Sequence, residues 1–112
     1  MTRSERAAGH LPAADAAAVL RAILDGEHAL RALGRRPLVS VAVGEWSVSA
    51  GDAEIVFYID TASLDHVARM RTADGREAAF ADWLARDGSN PLDLLDENDR
   101  FALEQLLHGV PC

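Results

Sequence analysis

A chain of 112 residues with 49% apolar content is sized for one domain, and its composition is neither disordered nor membrane-spanning. A formal charge of −7 argues against nonspecific nucleic-acid binding, which needs a basic surface. With one cysteine, Cys112, an internal disulfide is excluded, and four scattered histidines (His10, His28, His66, His108) make a structural zinc site a poor fit.

Residues 1–40 carry six Arg against four acids, residues 41–81 are net −4, and residues 82–112 are net −5. The negative field therefore belongs to the second two-thirds of the chain, where it would steer a basic partner or serve solubility. The N-terminus, Met1–Ala7, lacks the apolar segment of a signal peptide. The longest apolar runs, such as Leu38–Val43, fall far short of the ~20 residues that cross a bilayer. The expectation is a cytoplasmic protein without a membrane partner.

In chain order, residues 1–11 read as a frayed lead-in. Pro12 suits the first turn of a helix with Ala16, Leu20, Ile23 and Leu24 at helical spacing. Gly26 either ends that helix or only weakens it. In the second case Glu27–Leu33 continues it, Gly34 caps it, and Arg31, Arg35 and Arg36 favour its negative end. Leu38–Val43 reads as strand, with Val39, Val41 and Val43 on one face, interrupted at Gly44 and resumed by Trp46, Val48 and Ala50. A turn at Ala50–Ala53 returns the chain as the central strand Ile55–Asp60.

Residues 63–72 are ambiguous. Ser63 could cap a helix with Leu64, Val67 and Met70 inward, whereas alternation puts Leu64, His66, Ala68 and Met70 on one strand face. The turn signal Ala73-Asp74-Gly75-Arg76 favours strand. Phe80, Trp83 and Leu84 then mark a helix over roughly 78–87 that Gly88 ends, and Leu92–Leu95 a single turn. A last helix over roughly 96–108 has Asp96 as cap and Ala102, Leu103, Leu106 and Leu107 as its stripe, and Gly109 and Pro111 end it. The expected architecture is α+β: an N-terminal helix, a three- to four-stranded antiparallel meander, and two C-terminal helices on one face.

Tyr58 and Asp60, Leu64-Asp65, Asp74-Gly75-Arg76, Pro91, Leu94-Leu95 and the closing Leu103-Glu104-x-Leu106-Leu107 resemble a family of small uncharacterised proteobacterial proteins, a domain of unknown function. The resemblance is best over residues 57–107 and looser over the N-terminal helix. It implies no activity. It places cysteines of relatives where this chain has Thr61, Val67 and Met70, so a metal site formed by those cysteines would be lost here.

Asp60, Asp65 and His66, with Arg76 nearby in sequence, are the best titratable cluster, able to serve acid–base or ligand chemistry. Turn capping explains the same aspartates, and a hairpin explains Arg76. Ser63 is too close in sequence to Asp65 and His66 to form a triad, and the isolated glycines form no phosphate loop. Trp46, Tyr58, Phe80 and Trp83 suit either a binding hot spot or the core. The acidic run Asp93, Asp96, Glu97 and Asp99 suits either a basic partner or helix capping. The functional expectation is a non-enzymatic interaction module, immunity- or inhibitor-like, without cofactor or metal. The alternatives are a ligand site or enzyme near Asp60, Asp65, His66 and Arg76, or a homodimer formed through a sheet edge.

Overall fold

The computed structural model describes residues 9–34 and 37–110; Met1–Ala8, Arg35, Arg36, Pro111 and Cys112 lie outside them. Within those bounds the chain is α+β, with five strands and three α-helices. Helix α1 is Ala13–Leu24, and β1 (Leu30–Ala32), β2 (Gly44–Ala50), β3 (Ala53–Asp60), β4 (Ser63–Arg71) and β5 (Glu77–Ala79) follow. Helix α2 (Phe80–Arg86), a 3-10 turn (Pro91–Leu94) and α3 (Glu97–His108) complete it. The sheet is an antiparallel meander in the order β1-β2-β3-β4-β5.

Two short strands lie where helix was expected. Gly26 ends α1 outright, because its φ of +78° allows the N–H of Glu27 to reach the carbonyl of Ala22 and its own N–H that of Ile23. That closure turns the chain away, so Leu30–Ala32 pairs with Val48–Ala50 instead of continuing the helix, and Gly34 caps nothing helical. At the other edge Glu77–Ala79 pairs with Arg69–Arg71 before α2 starts. Leu38–Ser40 is a 3-10 turn, and the strand expected over Leu38–Val43 begins only at Gly44. The lead-in is docked as far back as Gly9: its carbonyl accepts from Glu77 N–H, the Leu11 N–H donates to Glu77, and Leu11 is fully buried.

Strand β4 explains its own ambiguity. Phe57 pairs with Val67 while Val56 pairs with Arg69, and Ile59 pairs with Leu64 while Tyr58 pairs with His66. Ala68 and Asp65 are therefore extra residues, each a β-bulge. Two bulges convert a period of two into a period of three, so Leu64, Val67 and Met70 face inward and His66, Arg69 and Arg71 outward. The alternation that grouped His66 and Ala68 with Leu64 is thus incorrect: His66 faces outward with Arg69 and Arg71, and Ala68 is a bulge residue.

The core lies between the inner face of the sheet and the helices. Trp46, Val48, Ile55, Phe57, Ile59, Val67 and Met70 meet Ala16, Leu20, Ile23, Trp83, Leu103 and Leu107 in one buried cluster. Full burial of each large side chain contributes about 1.5–3 kcal/mol. The C-terminal helices bury narrower stripes than expected: Phe80, Leu84, Ala102 and Leu106 are exposed.

Two buried polar links join the layers. Trp83 donates from Nε1 to the Leu11 carbonyl at 2.8 Å. Asn90, 2% exposed, accepts from Val67 N–H at 3.0 Å and donates to Val67 carbonyl at 2.9 Å. The same Asn90 oxygen accepts from Leu92 N–H at 3.1 Å, capping the 3-10 turn.

Replacing Asn90 by Ala leaves three backbone groups unpaired in the core, and urea unfolding should show a loss of about 3 kcal/mol. The β3–β4 connection is a two-residue turn with Thr61 at φ +55° and Ala62 at φ +61°. Both residues occupy the left-handed region that Asn-Gly tolerates best, so Thr61→Asn with Ala62→Gly should stabilise the fold by about 1 kcal/mol in the same assay.

Candidate functional site

The four titratable residues grouped from the sequence divide between the two ends of β4. Asp60 closes β3 at the Thr61–Ala62 turn, where its carboxylate accepts from the Thr61 hydroxyl at 3.4 Å. Asp65 sits in the first bulge and contacts His66 Nδ1 at 2.7 Å. Arg76 belongs to the far hairpin, beyond roughly 20 Å of strand from Asp65. It donates there to Asp74 and to Asp15 of α1, each at 2.9 Å. The structure thus unites Asp65 with His66 and separates Arg76 from them.

Arg76 is a staple between hairpin and helix. The Thr72 hydroxyl donates to Asp74 and is the main cause holding that carboxyl below its ordinary range, with Arg76 adding to it. The Asp15 carboxylate, followed by Asp74, raises the affinity of the Arg76 guanidinium for its proton. Gly75, at φ +87°, allows the turn to close.

Asp87 has a related role that sequence reasoning missed. Pro12 precedes α1 and has no side-chain donor or acceptor, so the helix lacks a local cap. Asp87 supplies it from 74 residues away, accepting from Ala13 N–H at 2.8 Å, with His10 Nε2 at 3.2 Å. That backbone N–H is the main cause of a lowered Asp87 pKa, with His10 and Arg86 assisting.

The acidic run lies where the second C-terminal helix begins. Asp96 caps α3 by accepting from Asp99 N–H at 2.8 Å, and Glu97 and Asp99 occupy its first turn. Asp93 lies in the preceding 3-10 turn. Asp93, Asp96 and Glu97 are exposed and Asp99 is half-buried.

The outer-face side chains of the sheet form three cross-strand rows. One row is Glu45, Tyr58 and His66; the next is Ser47, Val56, Arg69 and Ala79; the third is Arg31, Ser49, Glu54, Arg71 and Glu77. His66 stacks on Tyr58 with ring centroids 5.1 Å apart and an interplanar angle of 12°, and Phe80 packs against it at 4.4 Å. The aromatics therefore divide: Trp46 and Trp83 are core, whereas Tyr58 and Phe80 line this face. Because Asp65 is the acceptor, His66 Nδ1 carries the proton and Nε2 is left for another partner. Glu45 pairs with Arg69 at 3.7 Å and Glu54 with Arg71 at 2.8 Å, both solvent-exposed.

Cavities add little chemistry. A depression of about 220 Å³ on this face is lined by Glu54, Val56, Arg69, Met70, Arg71 and Glu77. Another, of about 280 Å³, lies between Val19, His28 and the Gly51 turn, and a Cβ at Gly51 would stand 2.9 Å from His28 Nδ1. Among the described residues no three His, Cys, Asp or Glu side chains are grouped to hold a metal ion. No described helix is long and apolar enough to cross a membrane. Of the positions where relatives were expected to carry cysteine, Val67 and Met70 are buried in the core and Thr61 is at the hairpin tip.

The model of a domain of unknown function, DUF7693, matches residues 10–109. The chain belongs to this family. The match spans β1 and α1 as well as the 57–107 segment, so the docked lead-in from His10 onward is part of the family's domain. No curated protein and no solved structure matches the chain.

Acid should weaken the fold through Asp74 and Asp87. Both carboxyls are held below their ordinary value of 3.8, so they stabilise the folded state above it, and that stability is lost as pH falls through the lowered values. In urea unfolding from about pH 5 to about pH 2, Asp87→Asn should lose less stability on acidification than the wild type.

Proposed function

We propose that this chain is a non-enzymatic protein-interaction module whose acidic end occupies a basic partner, in the manner of an immunity or inhibitor protein. The reading includes a bacterial, cytoplasmic setting. The observation that carries it is the state of the carboxylates at the start of α3. Asp93, Glu97 and Asp99 have no ion-pair partner among the described residues, whereas Glu45, Glu54, Asp65, Asp74 and Asp87 each have one. Residues 82–112 carry seven acids and two Arg, so the surrounding field reinforces these carboxylates. Clustered unpaired charge of one sign accelerates encounter with an oppositely charged surface and sets its register. The rival ligand-site reading draws support from the Asp65–His66 contact alone, since Arg76 stands at the other end of β4.

Charge reversal separates the partner role from capping. Asp93→Lys, Glu97→Lys and Asp99→Lys leave the Asp96 cap in place, so the helix keeps its N-terminal hydrogen bond. Capture of partners from cell lysate at low salt should recover a basic protein that is released at high salt. The triple variant should bind the recovered partner at least about a hundredfold more weakly. Recovery of no basic partner, or full retention by the triple variant, would remove this reading.

A further inference from the structure

The outer sheet face carries a charge pattern that one molecule leaves incomplete. In the row through Glu54, the central pair Glu54 and Arg71 is matched at 2.8 Å. At its two ends stand Arg31 on β1 and Glu77 on β5, both exposed and facing the same side as Glu54. They are four strand spacings apart, roughly 19 Å, and cannot reach each other. Neither side chain has an ion pair among the described residues.

We propose that this face packs against the same face of a second copy, about a twofold axis running along β3. Such an axis places β1 over β5 of the second copy and β2 over its β4. Arg31 then meets Glu77 of the second copy, and Glu77 meets Arg31, so each unmatched charge is paired once and the dimer gains two ion pairs. Glu45 on β2 comes over His66 on β4, which stands in the same row. Val56 and Tyr58, on the axis strand, meet their own counterparts as an apolar centre. Glu54 also lies on the axis, and Arg71 of its own molecule neutralises it there. Two twisted sheets stacked in this way lie about 10 Å apart, within reach of these side chains. The rows are complementary to themselves only about this axis, and a free acidic or basic protein would satisfy one end and oppose the other. This surface is separate from the acidic end of α3, so either proposal can fail alone.

Sedimentation velocity over a wide concentration range tests the axis directly. The wild type should dimerise reversibly. Arg31→Glu alone and Glu77→Arg alone should each weaken self-association on the order of tenfold, because each places like charges opposite each other twice. Combining both substitutions in one chain should restore the wild-type constant. An equimolar mixture of the two single variants should form a heterodimer of wild-type affinity. Thermal melts by circular dichroism, taken dilute enough that the wild type is monomeric, should be unchanged, since both positions are exposed. A wild type that stays monomeric throughout, a dimer indifferent to both single changes, or a double variant that stays weak would overturn the proposal.

Discussion

The two-way hydrogen bond between the Asn90 side chain and Val67 holds the layers of this fold in their relative places. Strand β5 covers only Arg69–Arg71 of β4, so the remainder of that edge is without a neighbouring strand. A buried backbone N–H and C=O left bare there would cost about 1–3 kcal/mol each. Asn90 answers both groups of Val67, as a residue of a missing strand would. A few residues along, the Glu104 carboxylate lies 3.4 Å from the Leu64 N–H. Side chains from the C-terminal segment thus finish the sheet, and the 3-10 turn and α3 are fixed to it by the same contacts.

That dependence makes the bulges in β4 necessary. Without the extra residues at Asp65 and Ala68, strict alternation could not keep Leu64, Val67 and Met70 on the inner face together. The bulges give the core a continuous apolar line and turn His66, Arg69 and Arg71 outward. The inner face is then sealed by helices, and the outer face is left to Tyr58, His66, Phe80 and the charged rows. The chemistry of the exposed surface is consequently a product of strand register, not of any local motif.

The sequence is legible where periodicity is strong and local. Trp46, Val48 and Ala50, then Ile55, Phe57 and Ile59, alternate as their strands require, and the caps at Asp96 and Gly88 act as their residue types suggest. Leu30–Ala32 and Glu77–Ala79 are three-residue strands whose identity comes from their neighbours, which no window of that length can report. In β4 the spacing of three looked helical because bulges imitate it. Among the candidate site residues, Asp65 and His66 were adjacent in the chain and remain in contact, whereas Arg76 was near only in number. Asn90 and Asp87 went unread because their partners, Val67 and Ala13, are fixed by tertiary structure. Asn90 preceding Pro91 did offer a capping signal.

The cap that Asp87 provides to α1 reaches beyond stability, into the order in which the protein can be made. Arg21 donates to Leu94, Asp15 pairs with Arg76, Leu11 receives the Trp83 N–H, and Glu77 pairs with the Gly9–Leu11 segment. These polar fastenings of the first helix and its lead-in therefore come from residues translated far later, a separation of 61 positions for Asp15–Arg76 and 74 for Ala13–Asp87. On the ribosome, α1 leaves the exit tunnel as an Ala-rich segment with no cap and no sheet, and a lone twelve-residue helix is marginal in water. The central hairpins can close as they emerge, because β2, β3 and β4 are sequential neighbours. Completion must await the segment from Arg76 to Leu94, so long-range contacts set the pace at which this small domain closes.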